Sequence, residues 1–198
     1  MGRGGAHGAV GVNAVHEAVL ERAFGLLAQG AADAASPFRH LTLATQGASE
    51  PGLRTMVVRR FLPGGPALEF HTDVRSPKLA ALQACARVAV LGWDPAARIQ
   101  LKAAGTVALL DTGEAARIWQ VLPPSTRSTY AINAGPGTPI ASPREAERSL
   151  DPEAAQAVFR VIRVRVDQLE WLHLAADQHQ RARFTWAPDG VHATWLVP

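Results

Sequence analysis

Basic and hydroxyl side chains recur in a short stretch of the sequence that begins at Arg54. The segment RTMVVR (54–59) carries an arginine at each end, and strand alternation places Arg54 and Arg59 on opposite faces unless a bulge intervenes. A guanidinium binds phosphates and carboxylates through two parallel hydrogen bonds. The segment therefore suits an anionic ligand, although taken alone it is more typical of a surface strand with two solvated arginines.

A second group of candidates lies where a predicted strand runs into a predicted helix. HTDVRSPK (71–78) places the Thr72 hydroxyl and the Lys78 ammonium beside a helix start, with Ser76 as the cap and Pro77 at the first helical position. Unpaired amides and the helix dipole allow such a start to bind a phosphate group. An ordinary capped helix with a solvated lysine is the alternative.

Two further candidates lie later in the chain. Gln100 stands mid-strand between apolar neighbours, where its amide offers a donor and an acceptor to the polar edge of a heterocycle. Trp171 and the pair Arg183-Phe184 offer aromatic and guanidinium planes that pack on ring systems. An exposed strand face for Gln100, and ordinary core or surface packing for the others, are equally open.

Several other kinds of site lack a motif. The sequence has no GxGxxG after its first strand, no P-loop and no GxSxG, which argues against dinucleotide, nucleoside triphosphate and nucleophile-elbow sites. Its seven histidines include no HxxxH or HExxH pair, so we predict no metal site. No side chain is singled out as a general acid or base, and the catalytic residues stay unassigned.

The composition is typical of a globular domain. Of the 198 residues, 47% are hydrophobic and 19% are charged, which excludes a disordered chain. The net charge of +3 comes without a basic block, so we expect no nucleic-acid partner. No apolar run approaches the ~20 residues that cross a bilayer. Since the Gly-rich start is too polar for a signal peptide, we predict a cytoplasmic location and no membrane association.

The hydrophobic pattern predicts about seven strands with a few helices between them. Because the strands arrive in hairpins, we predict one antiparallel domain over residues 12–198, behind a flexible arm formed by residues 1–11. The predicted strands span 38–45, 53–61, 67–73, 87–93, 98–110 and 159–169, and a terminal hairpin covers 184–197. The predicted helices span 13–29, 76–85, 114–122 and 151–157, and the long loop at 123–143 suggests a functional role.

Taken in order, these segments resemble one family, the pyridoxamine 5'-phosphate oxidase-like flavoproteins with the FMN-binding split-barrel fold. The resemblance runs from about Phe38 to Pro198. Each segment is weak by itself, but their order and spacing are specific. The segments that carry it are RTMVVR (54–59), FHTD (70–73), SPK (76–78), VAVLGW (88–93), QLKAAG (100–105), Trp171, RF (183–184) and WLVP (195–198).

The resemblance implies a mainly β fold with flanking helices, an antiparallel split β-barrel that forms a homodimer with FMN at the interface. A doubly charged phosphate is held by charge-assisted hydrogen bonds. Near that phosphate the resemblance places Arg54, Thr72, Ser76 and Lys78. Along or near the flavin ring it places Met56, Val57, Arg59 and His71. The cofactor contacts that a second subunit helps to supply are Gln100, Trp171 and Arg183.

The sequence departs from the family pattern at several positions. Pro77 replaces an arginine that donates to the phosphate, and Arg75 is a candidate replacement. His179 and Arg181 stand where the oxidases carry an arginine and a histidine for their substrate. With a looser alignment further back in the chain, the candidate substrate-binding residues are Arg59, Arg127, Ser128 and Arg181.

These inferences favour an FMN-dependent oxidoreductase that acts on a small-molecule substrate, which the sequence does not identify. In such enzymes the flavin carries the electron chemistry and the protein supplies binding and orientation. A flavin-binding carrier or sensor without turnover is the first alternative, since the substrate pattern of the oxidases is incomplete. Pyridoxamine or pyridoxine 5'-phosphate oxidase itself is the second alternative.

Overall fold

The computed structural model describes residues 10–47 and 50–198. Residues 1–9 of the predicted arm lie outside this range, whereas Val10–Gly11 form a short strand, β1, that pairs with residues 192–193. The last two residues of the predicted arm are therefore part of the sheet. In the described part of the chain, no helix combines the length and the apolar character that crossing a membrane requires.

The first helix, α1, spans Ala14–Ala32 and begins where the sequence predicts. The side chain of Asn13 accepts hydrogen bonds from the amides of Val15 and His16, which satisfies two of the unpaired donors at the helix start. Ala23 and Leu27 lie one turn apart and bury this face of the helix against the barrel. A single 3₁₀ turn, Pro37–Arg39, follows, so the next strand starts two residues later than predicted.

Six strands form a closed antiparallel barrel, which confirms the mainly β split-barrel fold that the family resemblance implies. Their order around the barrel is β4-β3-β2-β5-β6-β7, and β7 closes it by pairing again with β4. Buried side chains from all six strands fill the interior. The strands are β2 (His40–Thr45), β3 (Gly52–Leu62), β4 (Ala67–Asp73), β5 (Arg87–Asp94), β6 (Ile99–Leu109) and β7 (Phe159–His173).

The strand β7 is the longest element of the sheet and has three strand neighbours. Its first half pairs with β4, its second half pairs with β8 (Gln180–Ala187), and β6 runs along both halves. Beyond β8 the sheet continues to β9 (Gly190–Leu196) and then to β1. The described residues thus form nine strands rather than about seven.

A glycine allows β6 and β7 to change register. The pairing shifts between Ala104 and Gly105, and Asp167 is the residue left over on β7. A Cβ atom at Gly105 would lie 2.0 Å from the carbonyl oxygen of Arg165, so the backbones approach too closely for any side chain. This shift decides which β7 side chains face outward beyond Asp167.

Four further helices follow α1 along the chain. They are α2 (Pro77–Ala84), α3 (Thr112–Val121), α4 (Pro124–Arg127) and α5 (Pro152–Val158). The side chains of Asp111 and Asp151 cap α3 and α5. These two helices cover a second, smaller core on the outer face of β7, built around Trp119, Phe159 and Val161. The segment predicted as a loop at 123–143 contains α4 and short 3₁₀ turns.

Candidate functional site

The strands β3 and β4 pair along only part of their length. The pairing runs from Val58 opposite Phe70 to Leu62 opposite Ala67. The earlier half of β3 pairs with β2 on its other edge, and the end of β4 pairs with β7. Residues 52–57 and 71–73 therefore move apart, and we call the gap between them the split. On the side that faces β4, the backbone of residues 52–57 has no strand partner among the described residues.

Two cations and three hydroxyls meet at the open end of the split, and we call them the cationic cluster. The Lys78 ammonium donates to Thr72 Oγ1 at 2.9 Å and to Ser76 Oγ at 2.7 Å. Arg54 Nη1 donates to Thr45 Oγ1 at 2.7 Å. The structure thus brings together the four residues that the sequence predicts near a phosphate, and it adds Thr45.

The local fold explains how each side chain reaches this cluster. Arg54 pairs with Leu43 on β2, so it lies on the same face of β3 as the buried Met56. Gly52 leaves room for the guanidinium, since a Cβ there would lie 2.4 Å from Arg54 Nη2. Ser76 precedes α2 as predicted, but its hydroxyl makes no cap hydrogen bond to the helix, because it accepts from Lys78 instead.

The cationic cluster carries positive charge without a bound counter-charge. Burial is the main cause that lowers the pKa of Lys78, the charge of Arg54 lowers it further, and Asp73 partly opposes both. Burial also lowers the pKa of Arg54. Among the described residues, no carboxylate forms an ion pair with either side chain. A cluster of this kind is suited to a multiply charged anion, which would supply the missing negative charge.

Arg59 and His71 lie where the split closes. The register between β3 and β4 passes from Val58 directly to Arg60, so Arg59 is the extra residue of a β-bulge. Arg59 Nε and His71 Nδ1 are both buried without a hydrogen-bond partner in the described structure. They line a cleft of about 430 Å³ that also reaches α3 and α4. Two unsatisfied nitrogens at one cleft point to a polar ligand.

Two other charged groups that line this cleft, Arg39 and Glu69, already have partners. Arg39 donates to the carbonyl oxygens of Gly30, Ala31 and Val58. Glu69 is buried and accepts from Arg163 at 2.6 and 2.8 Å. Burial, and then the charge of Arg39, lower the pKa of Arg59. Arg59 is thus a cation of this cleft whose Nε has donor capacity left for a ligand.

Gln100 and Arg183 lie on a different side of the barrel. The side chain of Gln100 is on the outer face of β6, opposite Leu172 of β7. Arg183, on β8, lies opposite Glu170 and donates to it at 3.0 and 3.1 Å. On β7, Thr72 pairs with Arg160 and Gln100 pairs with Leu172, so Gln100 lies twelve residues further along this strand than the split, about 40 Å at about 3.3 Å per residue.

Glu170 holds two arginines on this outer face. Its carboxylate is buried and accepts from Arg181 at 2.8 Å as well as from Arg183. Burial alone would raise the pKa of Glu170, but the hydrogen bonds from Arg181 and Arg183 outweigh it and keep the pKa below its usual value. The ion pairs fix both guanidinium groups beside the exposed face of β6.

Trp171 does not join Gln100 and Arg183. It is 1% exposed, lies in the barrel core, and packs under the guanidinium of Arg22 at 5.4 Å. Glu170 and Leu172 take the outward positions beside it, because side chains alternate along β7. The indole therefore faces away from the surface where the resemblance places a cofactor contact.

The predicted substrate-binding residues are spread over three places. Arg59 lines the cleft at the closed end of the split. Arg127 and Ser128 line an apolar cavity of about 350 Å³ beside Trp119, and Arg127 Nε donates to the carbonyl oxygen of Leu122 at 2.9 Å. Arg181 lies near the C-terminal residues and is bound to Glu170. Within one chain they do not form a single substrate site.

Two residues near the split were not among the sequence candidates. Thr45 completes the cationic cluster, and its place on the buried face of β2 follows from the alternation with Leu41 and Leu43. Tyr130, the single tyrosine of the chain, packs edge-on against Phe159 in the smaller core. Burial raises its pKa to about 12, so the hydroxyl stays protonated at neutral pH. No local pattern marks Tyr130, because it lies in the Pro- and Gly-rich segment.

We predict that His71 makes the stability of the ligand-free protein depend on pH. Burial, and then the charge of Arg59, lower the pKa of His71 to about 4 from its ordinary 6.5. Between these values the unfolded chain binds the proton more readily, so the free energy of unfolding falls as the pH drops, by up to ~3 kcal/mol. Urea unfolding at pH 7 and pH 4.5, with His71→Gln alongside, measures this loss. An equal loss in both proteins would show that other groups cause it.

Comparison with known proteins gives one sequence-based match. Residues 22–111 match the family model described as pyridoxamine 5'-phosphate oxidase, FMN-binding domain. This range includes β2 to β6, α2 and the whole split. Comparison with curated proteins found no match.

Solved structures of low sequence identity share the fold. A pyridoxamine 5'-phosphate oxidase-related, FMN-binding protein from Nostoc punctiforme is 23% identical, with a TM-score of 0.73, over 96% of this chain and 100% of its own. PhzG from Burkholderia lata, solved with tetrahydrophenazine-1-carboxylic acid, is 18% identical with a TM-score of 0.71 over the same shares. A protein from Clostridium acetobutylicum related to general stress protein 26 is 10% identical, with a TM-score of 0.56, over 83% of this chain and 94% of its own.

Proposed function

We propose that this chain is an FMN-dependent oxidoreductase of the pyridoxamine 5'-phosphate oxidase-like FMN-binding split-barrel family, whose FMN-binding domain model matches residues 22–111. The observation that carries this proposal is the cationic cluster, with two half-buried cations and no carboxylate bound to them in the described structure. The FMN phosphate supplies the missing charge. The substrate remains unassigned.

The cationic cluster fits the phosphate of FMN in charge and in donor number. Arg54 and Lys78 provide positive charge, and the hydroxyls of Thr72 and Ser76 already lie 2.9 and 2.7 Å from the lysine nitrogen. A phosphate carries about 1.5 to 2 negative charges at neutral pH and accepts several hydrogen bonds. Arg75 does not take part, because it is bound to Asp73.

The remaining length of the split suits the ring system. On the edge of β3 that faces the split, every second residue of the stretch that contains Met56 and Val57 offers an unpaired N–H and C=O, while the buried Met56 side chain stays in the core. Bound FMN would supply the hydride-accepting chemistry. Arg59 at the closed end stabilises negative charge beside it, and His71, neutral at pH 7, offers a hydrogen bond without charge.

We further propose that the chain works as a homodimer in which Gln100 and Arg183 serve the partner's flavin. Within one chain, these residues lie too far along β7 from its pairing with β4 to reach the split. The same outer face exposes large apolar side chains, with Leu91 40% and Trp93 42% accessible. Exposed apolar side chains next to a row of polar groups are typical of a protein interface.

One observation favours a carrier or sensor as the second candidate function. The predicted substrate-binding residues lie in three separate places, so one chain offers no assembled substrate site. Pyridoxamine 5'-phosphate oxidase activity ranks third, because His179 and Arg181 do not reproduce the order of the oxidases.

We predict that removing either cation of the cluster weakens FMN binding through its phosphate. Lys78→Ala or Arg54→Ala should each cost about 1.5–3 kcal/mol of binding free energy, the scale of a hydrogen bond to a charged group. Fluorescence titrations with FMN and with riboflavin, which lacks the phosphate, measure the effect. Riboflavin affinity should stay the same in both variants. Arg144→Ala, an exposed arginine elsewhere, is the control. Unchanged FMN affinity in both cluster variants would place the phosphate elsewhere.

We predict that a charge on the outer face separates the dimer. Leu91→Asp or Trp93→Asp should give a monomer in sedimentation, whereas Val121→Asp, at an apolar and 80% exposed position on α3, should not.

Dimers assembled from two different variants test which subunit supplies Arg183 to each flavin site. A chain with Lys78→Ala paired with a chain carrying Arg183→Ala keeps one intact site if Arg183 serves its partner. No flavin in the mixed dimer would mean that both residues act within one chain.

We predict that substrate reduction of bound flavin separates the enzyme from the carrier. Under anaerobic conditions, the visible absorbance band of the bound flavin should bleach with a suitable hydride donor. NADH, NADPH and pyridoxamine 5'-phosphate are the donors to compare. Bleaching by pyridoxamine 5'-phosphate, followed by release of hydrogen peroxide in air, would raise the third candidate to first. A flavin that none of a broad donor panel reduces would favour the carrier or sensor.

A further inference from the structure

Arg75 makes the densest set of hydrogen bonds near the cationic cluster, and none of its partners belongs to that cluster. It donates to Asp73 through its backbone amide at 2.8 Å, through Nε at 2.9 Å and through Nη2 at 2.6 Å. It also donates to the carbonyl oxygens of Ile132 and Asn133 at 3.1 and 2.9 Å. The hydrogen bond to Asp73 is the main cause that raises the pKa of Arg75.

Asp73 is the carboxylate nearest to the cluster in the chain. It follows Thr72 directly and is 7% exposed. The pKa of Lys78 is lowered by burial and by the charge of Arg54, and the negative charge of Asp73 partly opposes this lowering. The lysine nevertheless binds the hydroxyls of Thr72 and Ser76 and forms no ion pair with Asp73. The oxygens of Asp73 are instead occupied by Arg75.

A buried carboxylate left without a partner is costly and attracts the nearest cation. Without the guanidinium of Arg75, that cation would be Lys78, five residues further on at the start of α2. An ion pair between Asp73 and Lys78 would take the ammonium away from Thr72 and Ser76. It would also cancel the positive charge that an incoming phosphate needs.

We propose that Arg75 is a positioning residue that neutralises Asp73 and thereby reserves Lys78 for the phosphate. This inference rests on the proposed function, because it takes the cationic cluster as the phosphate site. Arg75 does not touch the phosphate itself, so it does not replace the donor that Pro77 removes.

Arg75 also holds the segment 131–138 against the turn before α2. A Cβ atom at Gly135 would lie 2.9 Å from Arg75 Cβ, so the segment packs tightly on this arginine. Loss of Arg75 would therefore loosen the segment as well as release Asp73. The test must separate these two effects.

Removing the charge of Asp73 separates the release of this carboxylate from the loosening of the segment 131–138. Arg75→Ala should bind FMN about tenfold more weakly, the effect of losing one hydrogen bond to a charged group, while riboflavin binding stays the same. In the double variant Asp73→Asn with Arg75→Ala, the carboxylate is gone but the contacts to Ile132 and Asn133 are still absent. FMN affinity should then return to within about threefold of the unaltered protein. This residual loss would be clearly smaller than the tenfold loss expected for Arg75→Ala alone.

The outcomes distinguish neutralisation of Asp73 from an effect of the segment 131–138 and from no role of Arg75 in FMN binding. FMN affinity that stays normal in Arg75→Ala overturns the proposal, and so does a double variant that remains as weak as Arg75→Ala, since the segment contacts would then be the cause. Arg87→Ala, which removes a surface ion pair with Asp167, is the matched control and should bind normally. Circular dichroism checks that each variant folds. If the unaltered protein itself prefers riboflavin to FMN, the proposed function fails first and this proposal fails with it.

Discussion

The candidate site depends on the point at which β3 and β4 stop pairing. The last shared pair is Val58 and Phe70, and the bulge at Arg59 lies next to it. Beyond this point β4 is committed to β7, and β3 to β2, so neither strand can close the gap. Backbone donors and acceptors that lack a strand partner must find another one. A planar, polar ligand can bind these backbone groups of β3, while the pairings of the other barrel strands stay in place.

The cations around the split fall into two groups, according to whether a carboxylate or backbone carbonyls satisfy them or mainly hydroxyls do. Arg39, Arg75 and Arg163 are each satisfied by backbone carbonyls or by a carboxylate. Arg54 and Lys78 are satisfied by neutral oxygens, hydroxyls above all, and keep their charge available. Two partly desolvated cations next to each other disfavour the ligand-free state, and an anion that binds only the folded chain relieves this repulsion. The same arrangement that weakens the empty fold therefore favours binding.

Local signals in the sequence predicted much of the fold. The predicted strands 53–61 and 67–73 form the hairpin of β3 and β4, and α2 begins at Pro77 directly after the predicted cap Ser76. The family resemblance, rather than a local signal, linked Arg54 with Lys78. Turn chemistry and alternation act within a few residues, so they can be read from one segment.

The parts that could not be predicted depend on distant pairings. The side on which Trp171 lies is set by the register shift at Gly105, which leaves Asp167 over on β7 and resets the alternation beyond it. The position of Arg59 is set by a bulge that only the pairing with β4 defines. Tyr130 reaches Phe159 through the packing of α3 and α5, which no segment encodes alone. Long-range register is not visible in a local pattern.

The length of β7 has a consequence for how the two ends of the molecule communicate. One end of this strand borders β4, whose terminus carries Thr72, and the other end borders β8, which carries Arg183. A pleated strand flanked on both sides is stiff along its axis, so no flexible joint separates the two regions. In an assembly of two such chains, each ligand would be bound by residues that lie on stiff strands of both copies. The sheet would then set the distance between the two bound ligands, and movement of the loops would not change it.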